Sequence, residues 1–228
     1  MRRIKPIYIV IFVVCFAMGV ANSLNSRKAS SSTVLPTPQT TLVAIPQIPP
    51  KGWTRLEGNG VALQLPDTYM GGNMEDFSAE IIKLADTELP QAKSLFQEAF
   101  QNPEKFVLLA FDTKSSPGFL TNVNTVKTRF SSERYPLADI MQGAIKQYPD
   151  YIKIVQSDLV KINDIEVIRF VETMDMKSRT SKSLQYIRID DNNDAWVTNY
   201  STTPDEFDKR LPSFEQSYQS FELLPASK

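Results

Sequence analysis

The chain has 228 residues, 25 lysines and arginines against 26 acidic residues, a single cysteine and no histidine. Without histidine, a Ser-His-Asp or Cys-His mechanism and any imidazole metal ligand are excluded. The eight glycines form neither a G-x-G-x-x-G nor a G-x-x-x-x-G-K motif, which argues against a dinucleotide site or a P-loop.

Residues 1–21 predict a signal peptide. Three basic residues precede an apolar run over residues 7–21, and Gly19 and Ala21 occupy the positions that signal peptidase prefers. An apolar helix of this length rises about 22 Å, less than the thickness of a bilayer core, so cleavage after Ala21 is favoured. A retained membrane anchor is the alternative, because the basic residues obey the positive-inside rule.

Residues 22–50 are rich in Ser, Thr and Pro and predict a disordered linker, and residues 51–228 predict one folded domain. Cleavage of the signal would leave 22 basic against 26 acidic side chains, a net charge of −4, and no cysteine. The mature chain therefore has no disulfide and no domain-wide basic surface of the kind that binds nucleic acid. Its stability must come from its core.

The domain begins with two predicted strands, residues 52–57 and 61–65, which are joined by a turn at Gly58-Asn59-Gly60. Residues 69–73 predict a flexible connection. Two amphipathic helices follow, because apolar residues recur at helical spacing over residues 77–85 and 92–100.

The middle of the domain predicts a buried strand at residues 106–111, which is apolar on both alternating sets and is expected at the centre of a sheet. A more polar strand at residues 121–130 and a helix from Pro136 come next.

Two hairpins are predicted after this helix. Residues 152–162 and 165–174 flank Asn163-Asp164, a pair that tolerates the left-handed backbone of a tight turn. Residues 184–189 and 195–202 flank an Asp- and Asn-rich segment. A final helix begins with a capping sequence at Thr203-Pro204-Asp205-Glu206, and Pro212 is expected to kink or split it.

The order of these elements predicts an α+β fold with a single domain, in which an antiparallel β-sheet is flanked by helices on both faces as an α/β/α sandwich. The sequence resembles the PsbP-like group of small exported proteins. The resemblance spans Trp53 to Leu224 loosely and depends on Trp53, Val61–Pro66, Phe106–Asp112 and residues 121–124, 196–200 and 214–221.

The resemblance implies a protein that acts by binding. The PsbP-like group includes extrinsic photosystem II subunits of the thylakoid lumen, bacterial envelope lipoproteins and a nuclear-import factor. The location that it implies is extracytoplasmic, in a periplasm or a thylakoid lumen, with residues 7–21 as a possible tether. Metal sites linked to the plant photosystem subunits use histidine, which this chain lacks, so no cofactor is expected.

Two segments are candidate partner-binding sites. Lys177, Arg179 and Lys182 fall on the predicted tip between two strands, where they could meet an acidic partner or anionic lipid. Met70, Gly71 and Gly72 form the second segment, whose glycines and methionine suit an adaptable contact. The alternative for the basic segment is a hairpin tip that is charged only for solubility, and the alternative for the glycine-methionine segment is an ordinary connection without a binding role.

The Asp- and Asn-rich segment does not fit an EF-hand. Asp190, Asn192 and Asp194 have the right spacing, but Ala195 stands where the loop needs glycine and Ser201 where it needs a bidentate acid. Turn chemistry alone explains these residues, although a weak surface cation site is the alternative.

The sequence therefore predicts a non-catalytic accessory protein that docks on a membrane protein assembly or assists its maturation. The alternative is a small-ligand or lipid-binding envelope protein, which requires an apolar pocket. A carboxylate hydrolase is the third hypothesis and requires two acids facing each other in a cleft, with at least one raised pKa.

Overall fold

The computed structural model describes residues 49–73, 106–116, 119–129, 134–175 and 180–225, together with the backbone of residues 41–42. Within these residues, the chain forms two β-sheets and two helices. The strands are β1 (Thr41–Leu42), β2 (Trp53–Glu57), β3 (Val61–Pro66), β4 (Tyr69–Gly72), β5 (Phe106–Asp112), β6 (Asn122–Arg129), β7 (Ile152–Ile162), β8 (Ile165–Asp175), β9 (Thr180–Ile189), β10 (Asp194–Thr202) and β11 (Glu222–Leu223). The helices are α1 (Leu137–Ile145) and α2 (Pro204–Gln219).

The larger sheet has eight strands in the order β1-β7-β8-β9-β10-β6-β5-β4. Its pairings are antiparallel, except that β1 runs parallel to β7. The hairpin between β7 and β8 turns at Asn163 and Asp164, whose φ angles are 49° and 64°. The predicted antiparallel sheet and this hairpin are therefore confirmed.

The smaller sheet joins the two ends of the domain. β2 and β3 form the hairpin that the sequence predicts, and β11 pairs with the outer side of β3 through Glu222–Ala62 and Leu223–Val61. The sequence analysis did not predict β11, which has only two residues.

Helix α2 supplies much of the aromatic core. Phe207, Phe214 and Tyr218 are buried on one side of the helix. The ring of Tyr218 stacks on Tyr186 of β9 at 3.8 Å between ring centres, and Phe214 stacks on Tyr200 of β10 at 5.1 Å. Such aromatic pairs add about 0.5–1.5 kcal/mol each to the free energy of area burial. The core thus binds α2 to the centre of the larger sheet.

The start and the middle of α2 differ in detail from the sequence prediction. Thr203 is the N-cap residue and Pro204 the first helical residue, as predicted, but the Thr203 side chain makes no capping hydrogen bond. The helix also continues through Pro212 as one element, so the predicted split does not occur. Pro212 is exposed, and packing of the opposite side of α2 holds the helix together there.

Two further predictions are corrected by the sheet order. Residues 69–73, expected as a flexible connection, contribute the strand β4, because extended backbone there pairs with β5 through Tyr69–Asp112 and Gly72–Leu109. The strand β5 is buried on both faces, as predicted, but it lies next to β4 and not at the centre of the sheet. Burial of β5 on both faces therefore did not require a central position in the sheet.

The structure is a single β-rich domain, mostly antiparallel sheet, with two helices in its described part. The helices predicted over residues 77–85 and 92–100 lie outside the described residues. The α/β/α sandwich with helices on both faces therefore stays a prediction, as do the boundaries 1–21, 22–50 and 51–228. No helix within the described segments is both long and apolar enough to span a bilayer.

Candidate functional site

A pocket of about 230 Å³ lies where the β7–β8 hairpin meets the C-terminal end of α2 and the strand β11. Two interactions build this junction. The side-chain amide of Asn163 donates to the carbonyl of Gln219 at 2.9 Å, which ties the hairpin to the end of α2. The amide of Phe221 donates to the carbonyl of Tyr218 at 2.9 Å, which turns the chain out of the helix. The hairpin and the end of α2 therefore form opposite walls of one pocket, whose apolar lining is Ile162, Ile165, Val167, Phe221 and Leu223.

Two residues that line the pocket carry polar atoms without hydrogen-bond partners among the described residues. Arg188 of β9 places its guanidinium carbon 5.9 Å from the ring centre of Phe221, and among the described residues it forms no ion pair. Its buried Nε has no hydrogen-bond acceptor in that part of the chain. The hydroxyl of Tyr218, a residue that is 2% exposed, also lacks a described partner. Buried polar groups are normally hydrogen-bonded, and these two belong to residues that line one pocket, which makes it a candidate ligand site.

The charges around the pocket favour an anion. The only acidic lining residue among those described, Glu222, already pairs with Arg55 at 2.8 Å. Burial raises the pKa of Tyr218 well above that of a free phenol, and this outweighs the opposite effect of Arg188. Tyr218 is therefore a neutral hydrogen-bond donor near Arg188, a cation that has no ion pair within the described part of the chain. The arrangement can bind an anionic group and enclose an apolar body.

A second polar cluster lies on the larger sheet. Glu172, Ser183, Ser201 and Asn122 are register neighbours on four successive strands, and all four are buried. Ser183 and Ser201 share a hydrogen bond of 3.0 Å between their hydroxyls. The Oε2 atom of Glu172 has no hydrogen-bond partner in the described structure. We name these four residues the buried polar row.

Glu172 has the properties of a carboxyl group that stays protonated in the folded protein below neutral pH. Burial raises its pKa to about 7, and a hydrogen bond with Tyr148 offsets part of this rise. A raised pKa is one requirement of a carboxylate hydrolase, but the partner of Glu172 here is a tyrosine and not a second acid. The hydrolase hypothesis therefore gains no acid pair at Glu172.

Two other acids that the sequence places on or beside strands have structural partners. Asp112 accepts a hydrogen bond of 2.6 Å from Arg210 of α2. Asp190 accepts from the indole of Trp196 at 3.0 Å and from the backbone amides of Asn192 and Asp194 at 2.9 Å each. Asp190 thus closes the β9–β10 turn, as expected from turn chemistry, and within the described residues no cluster of acids could hold a metal ion.

The predicted basic contact is only partly described. Lys177 and Arg179 lie outside the described residues. The ammonium group of Lys182 donates to Asp208 at 3.0 Å and lies 4.4 Å from the ring centre of Phe207. Lys182 therefore packs against α2, and its contribution to a partner contact stays a prediction.

The three residues of the predicted glycine-methionine contact differ in their exposure to solvent. Met70 is 39% exposed on β4, which is the last strand of the larger sheet in the described residues. Gly71 and Gly72 are buried. A Cβ at Gly71 would collide with the backbone of Leu109 and Ala110, so this glycine permits close pairing with β5. Met70 is thus the member of this segment that is available to a partner.

Sequence reasoning missed an apolar exposed segment at the start of β7. Tyr151 is 44% exposed and Val155 is 60% exposed, and exposed Lys153 lies between them. Val155 sits where the β7–β8 register shifts between Ile154 and Gln156. Strict alternation over residues 152–162 places Val155 on the same face as Lys153 and on the other face from Ile152 and Ile154. This pattern could have predicted that Val155 is exposed.

Comparison with known proteins assigns the fold to the PsbP-like class and shows no more than the fold. No protein-family model and no curated protein matches the sequence. The solution structure of cyanobacterial PsbP (CyanoP) from Synechocystis sp. PCC 6803 superposes with a TM-score of 0.50 at 10% identity, covering 80% of this chain and 98% of that one.

Two further solved structures show a weaker likeness. LpqN, involved in cell envelope biogenesis of Mycobacterium tuberculosis, gives a TM-score of 0.46 at 12% identity over 76% of this chain and 91% of its own. A protein of unknown function from Pseudomonas aeruginosa gives 0.42 at 18% identity over 53% of this chain and 83% of its own.

Proposed function

We propose that the protein is an extracytoplasmic accessory protein that acts by binding and docks on a membrane protein assembly. The observation that carries this proposal is the exposed segment at the start of β7, where Tyr151, Lys153 and Val155 combine apolar and basic side chains. Exposed aromatic and apolar groups beside positive charge suit contact with an acidic protein surface.

The segment lies next to the end of β8, the strand that precedes the predicted basic tip in the sequence. Ile152 pairs with Met174, and the carbonyl of Tyr151 accepts from the amide of Asp175 at 2.9 Å. Asp175 pairs with Thr180. Lys177 and Arg179 fall between these two residues in the sequence and lie outside the described residues. We name Tyr151, Lys153 and Val155 the β7 docking surface, and we propose that Lys177 and Arg179 add positive charge to the same contact.

The PsbP-like fold supports the location and the mode of action. Cyanobacterial PsbP shares the fold over most of this chain, and the predicted signal sequence directs the chain out of the cytoplasm. The same fold hosts different functions, so the fold alone does not identify the partner.

Affinity capture after mild crosslinking tests the docking proposal. The tagged full-length chain is produced in its own host, and membranes are solubilised after crosslinking. We expect one membrane assembly to co-purify, and we expect a Lys177→Ala/Arg179→Ala double variant and a Tyr151→Ser/Val155→Ser double variant each to reduce its recovery at least fivefold. Neither double variant disturbs the Lys182–Asp208 pair.

A matched control separates this surface from general loss of charge. Lys51 and Lys114 are exposed elsewhere on the domain, and a Lys51→Ala/Lys114→Ala variant should retain full recovery. Full recovery by both surface variants would show that the protein docks elsewhere or not at all. The triple variant that adds Lys182→Ala then reports whether Lys182 contributes beyond its contact with α2.

Small-ligand binding is the second candidate function, and the pocket described above favours it. An apolar cavity with convergent polar groups is the usual form of a ligand site. Thermal denaturation of the purified chain across a library of small anionic and neutral compounds tests this function, since any specific ligand raises the melting temperature.

A further inference from the structure

We infer that the pocket between the β7–β8 hairpin and the end of α2 binds a monocarboxylate with a short apolar body. This inference rests on the second candidate function, ligand binding, and is independent of docking on a membrane assembly. It specifies the charge, the number of polar groups and the size of the ligand.

The charge follows from Arg188. Its guanidinium lines the pocket without an ion pair to any described residue, and its Nε is buried without an acceptor there. A guanidinium fork matches the two oxygens of a carboxylate and forms charge-assisted hydrogen bonds with them. Glu222 at the same pocket is already ion-paired with Arg55, which also contacts Glu57, and it forms no ion pair with Arg188 among the described residues.

The number of polar groups favours one carboxylate over a phosphate. Besides Arg188, Tyr218 lines the pocket, and its buried hydroxyl has no partner among the described residues. These donors match the oxygens of a single carboxylate. A phosphate group has more acceptor oxygens and a higher charge, and the apolar walls formed by Ile165 and Leu223 would leave part of it unpaired.

The size of the apolar body follows from the volume. The pocket volume of about 230 Å³ exceeds the roughly 150 Å³ of a cavity that holds benzene and falls short of the roughly 300 Å³ at which drug-sized sites begin. A single aromatic ring or a medium-length aliphatic chain therefore fits. The same chemistry occurs in free aromatic acids and in fatty acids released from lipids, and two probes distinguish these sources.

Isothermal titration of the purified full chain tests the inference with benzoate and octanoate as probes, and benzyl alcohol and octan-1-ol as their neutral counterparts. We expect at least one acid to bind saturably and at least tenfold more tightly than its alcohol. Tighter binding of octanoate would indicate a lipid-derived ligand, and tighter binding of benzoate an aromatic one. Both results support a carboxylate site.

Three variants assign the binding to this pocket. Arg188→Gln should weaken acid binding at least tenfold and leave alcohol binding unchanged, and Tyr218→Phe should weaken acid binding severalfold. Ile165→Trp, at a half-buried wall position, should fill the pocket and abolish binding of both acid and alcohol. Arg134→Gln removes an exposed arginine elsewhere and should change nothing.

The outcomes separate failure of the inference from failure of ligand binding. If acids bind no more tightly than alcohols, or if Arg188→Gln binds acids as well as the unaltered chain, the carboxylate assignment is wrong while a ligand pocket survives. If neither acids nor alcohols bind, the inference is wrong, and the compound library above decides whether any ligand function remains. Circular dichroism of each variant confirms that it is folded, and Ile165→Trp provides the test should Tyr218→Phe unfold.

Discussion

Glu172 stands among uncharged neighbours in the buried polar row. Its side chain is 5% exposed, and Ser183, Ser201 and Asn122 continue the row across the sheet. An ionised carboxylate there would lose its hydration without gaining a cation, so the protonated form is favoured in the folded protein.

This predicts an unusual contribution to stability against pH. The pKa of Glu172 rises from its ordinary 4.5 in the unfolded chain to about 7 in the folded one. Between these values the folded state holds a proton that the unfolded state releases, so the free energy of unfolding falls as pH rises from about 4.5 to 7. The loss amounts to about 3 kcal/mol and is complete above pH 7.

Urea denaturation of Glu172→Gln at pH 5 and pH 8 checks this expectation. The variant should be more stable than the unaltered protein at pH 8 and close to it at pH 5, because glutamine needs no proton. Glu166→Gln, at an exposed position of the same strand, is the control and should show no such difference. Equal effects of Glu172→Gln at the two pH values would show that Glu172 ionises normally.

Gly71 is the residue on which the pairing of β4 depends. Its φ angle is 146°, and an added Cβ would meet the backbone of Leu109 and Ala110. Gly71→Ala should therefore destabilise the domain by about 1–3 kcal/mol, measured by chemical denaturation.

Gly52 provides a control that separates backbone strain from collision. Its φ angle is 82°, but an added Cβ there would meet nothing within 4 Å. Gly52→Ala should cost less than Gly71→Ala, since it adds strain alone. Equal losses would mean that the contact with β5 relaxes without cost.

At the scale of elements, α2 stays one helix because its packing against the core outweighs the helix-breaking effect of Pro212. Pro212 removes one backbone hydrogen bond, yet the helix runs from Pro204 to Gln219. Phe207 and Phe214 lie on either side of this position and are both buried against the core. Their burial outweighs the local defect.

Replacing the proline should therefore stabilise the protein. Pro212→Ala restores a backbone donor at an exposed position, removes no buried contact, and should raise the free energy of unfolding by about 1–2 kcal/mol after the gain in entropy of the unfolded chain is subtracted. Differential scanning calorimetry would report this as a higher melting temperature. Gln216→Ala, a similar change without a backbone effect, should shift it little, and a lower melting temperature for Pro212→Ala would show that the proline fits this helix without strain.

At the scale of the whole molecule, local chemistry decides what the sequence can predict. Asn163 and Asp164 predict their hairpin because the tight turn requires a left-handed backbone at two adjacent residues, which Asn and Asp tolerate. The strands β4 and β11 are short and obtain their hydrogen bonds from β5 and β3, which are distant in sequence. No local pattern therefore identifies them.

The candidate site has the same limitation. Arg188 and Tyr218 belong to different elements and converge only when the end of α2 reaches the β7–β8 hairpin. Neither residue signals a binding site in the sequence, because arginine is common in strands at a sheet surface and tyrosine is common on the apolar face of a helix. The pocket, its missing partners and its charge are properties of the tertiary structure.

The pairing of β11 with β3 also constrains how the polypeptide reaches this shape. Residues 222–223 complete a sheet whose other strands lie about 160 positions earlier, at 53–57 and 61–66. Until residues 222–223 have been synthesised, β3 lacks the strand that pairs with its second side. The smaller sheet is therefore completed only after residue 223 has been made, and a nascent chain halted before residue 222 should be digested by protease at β3 more readily than the 228-residue chain.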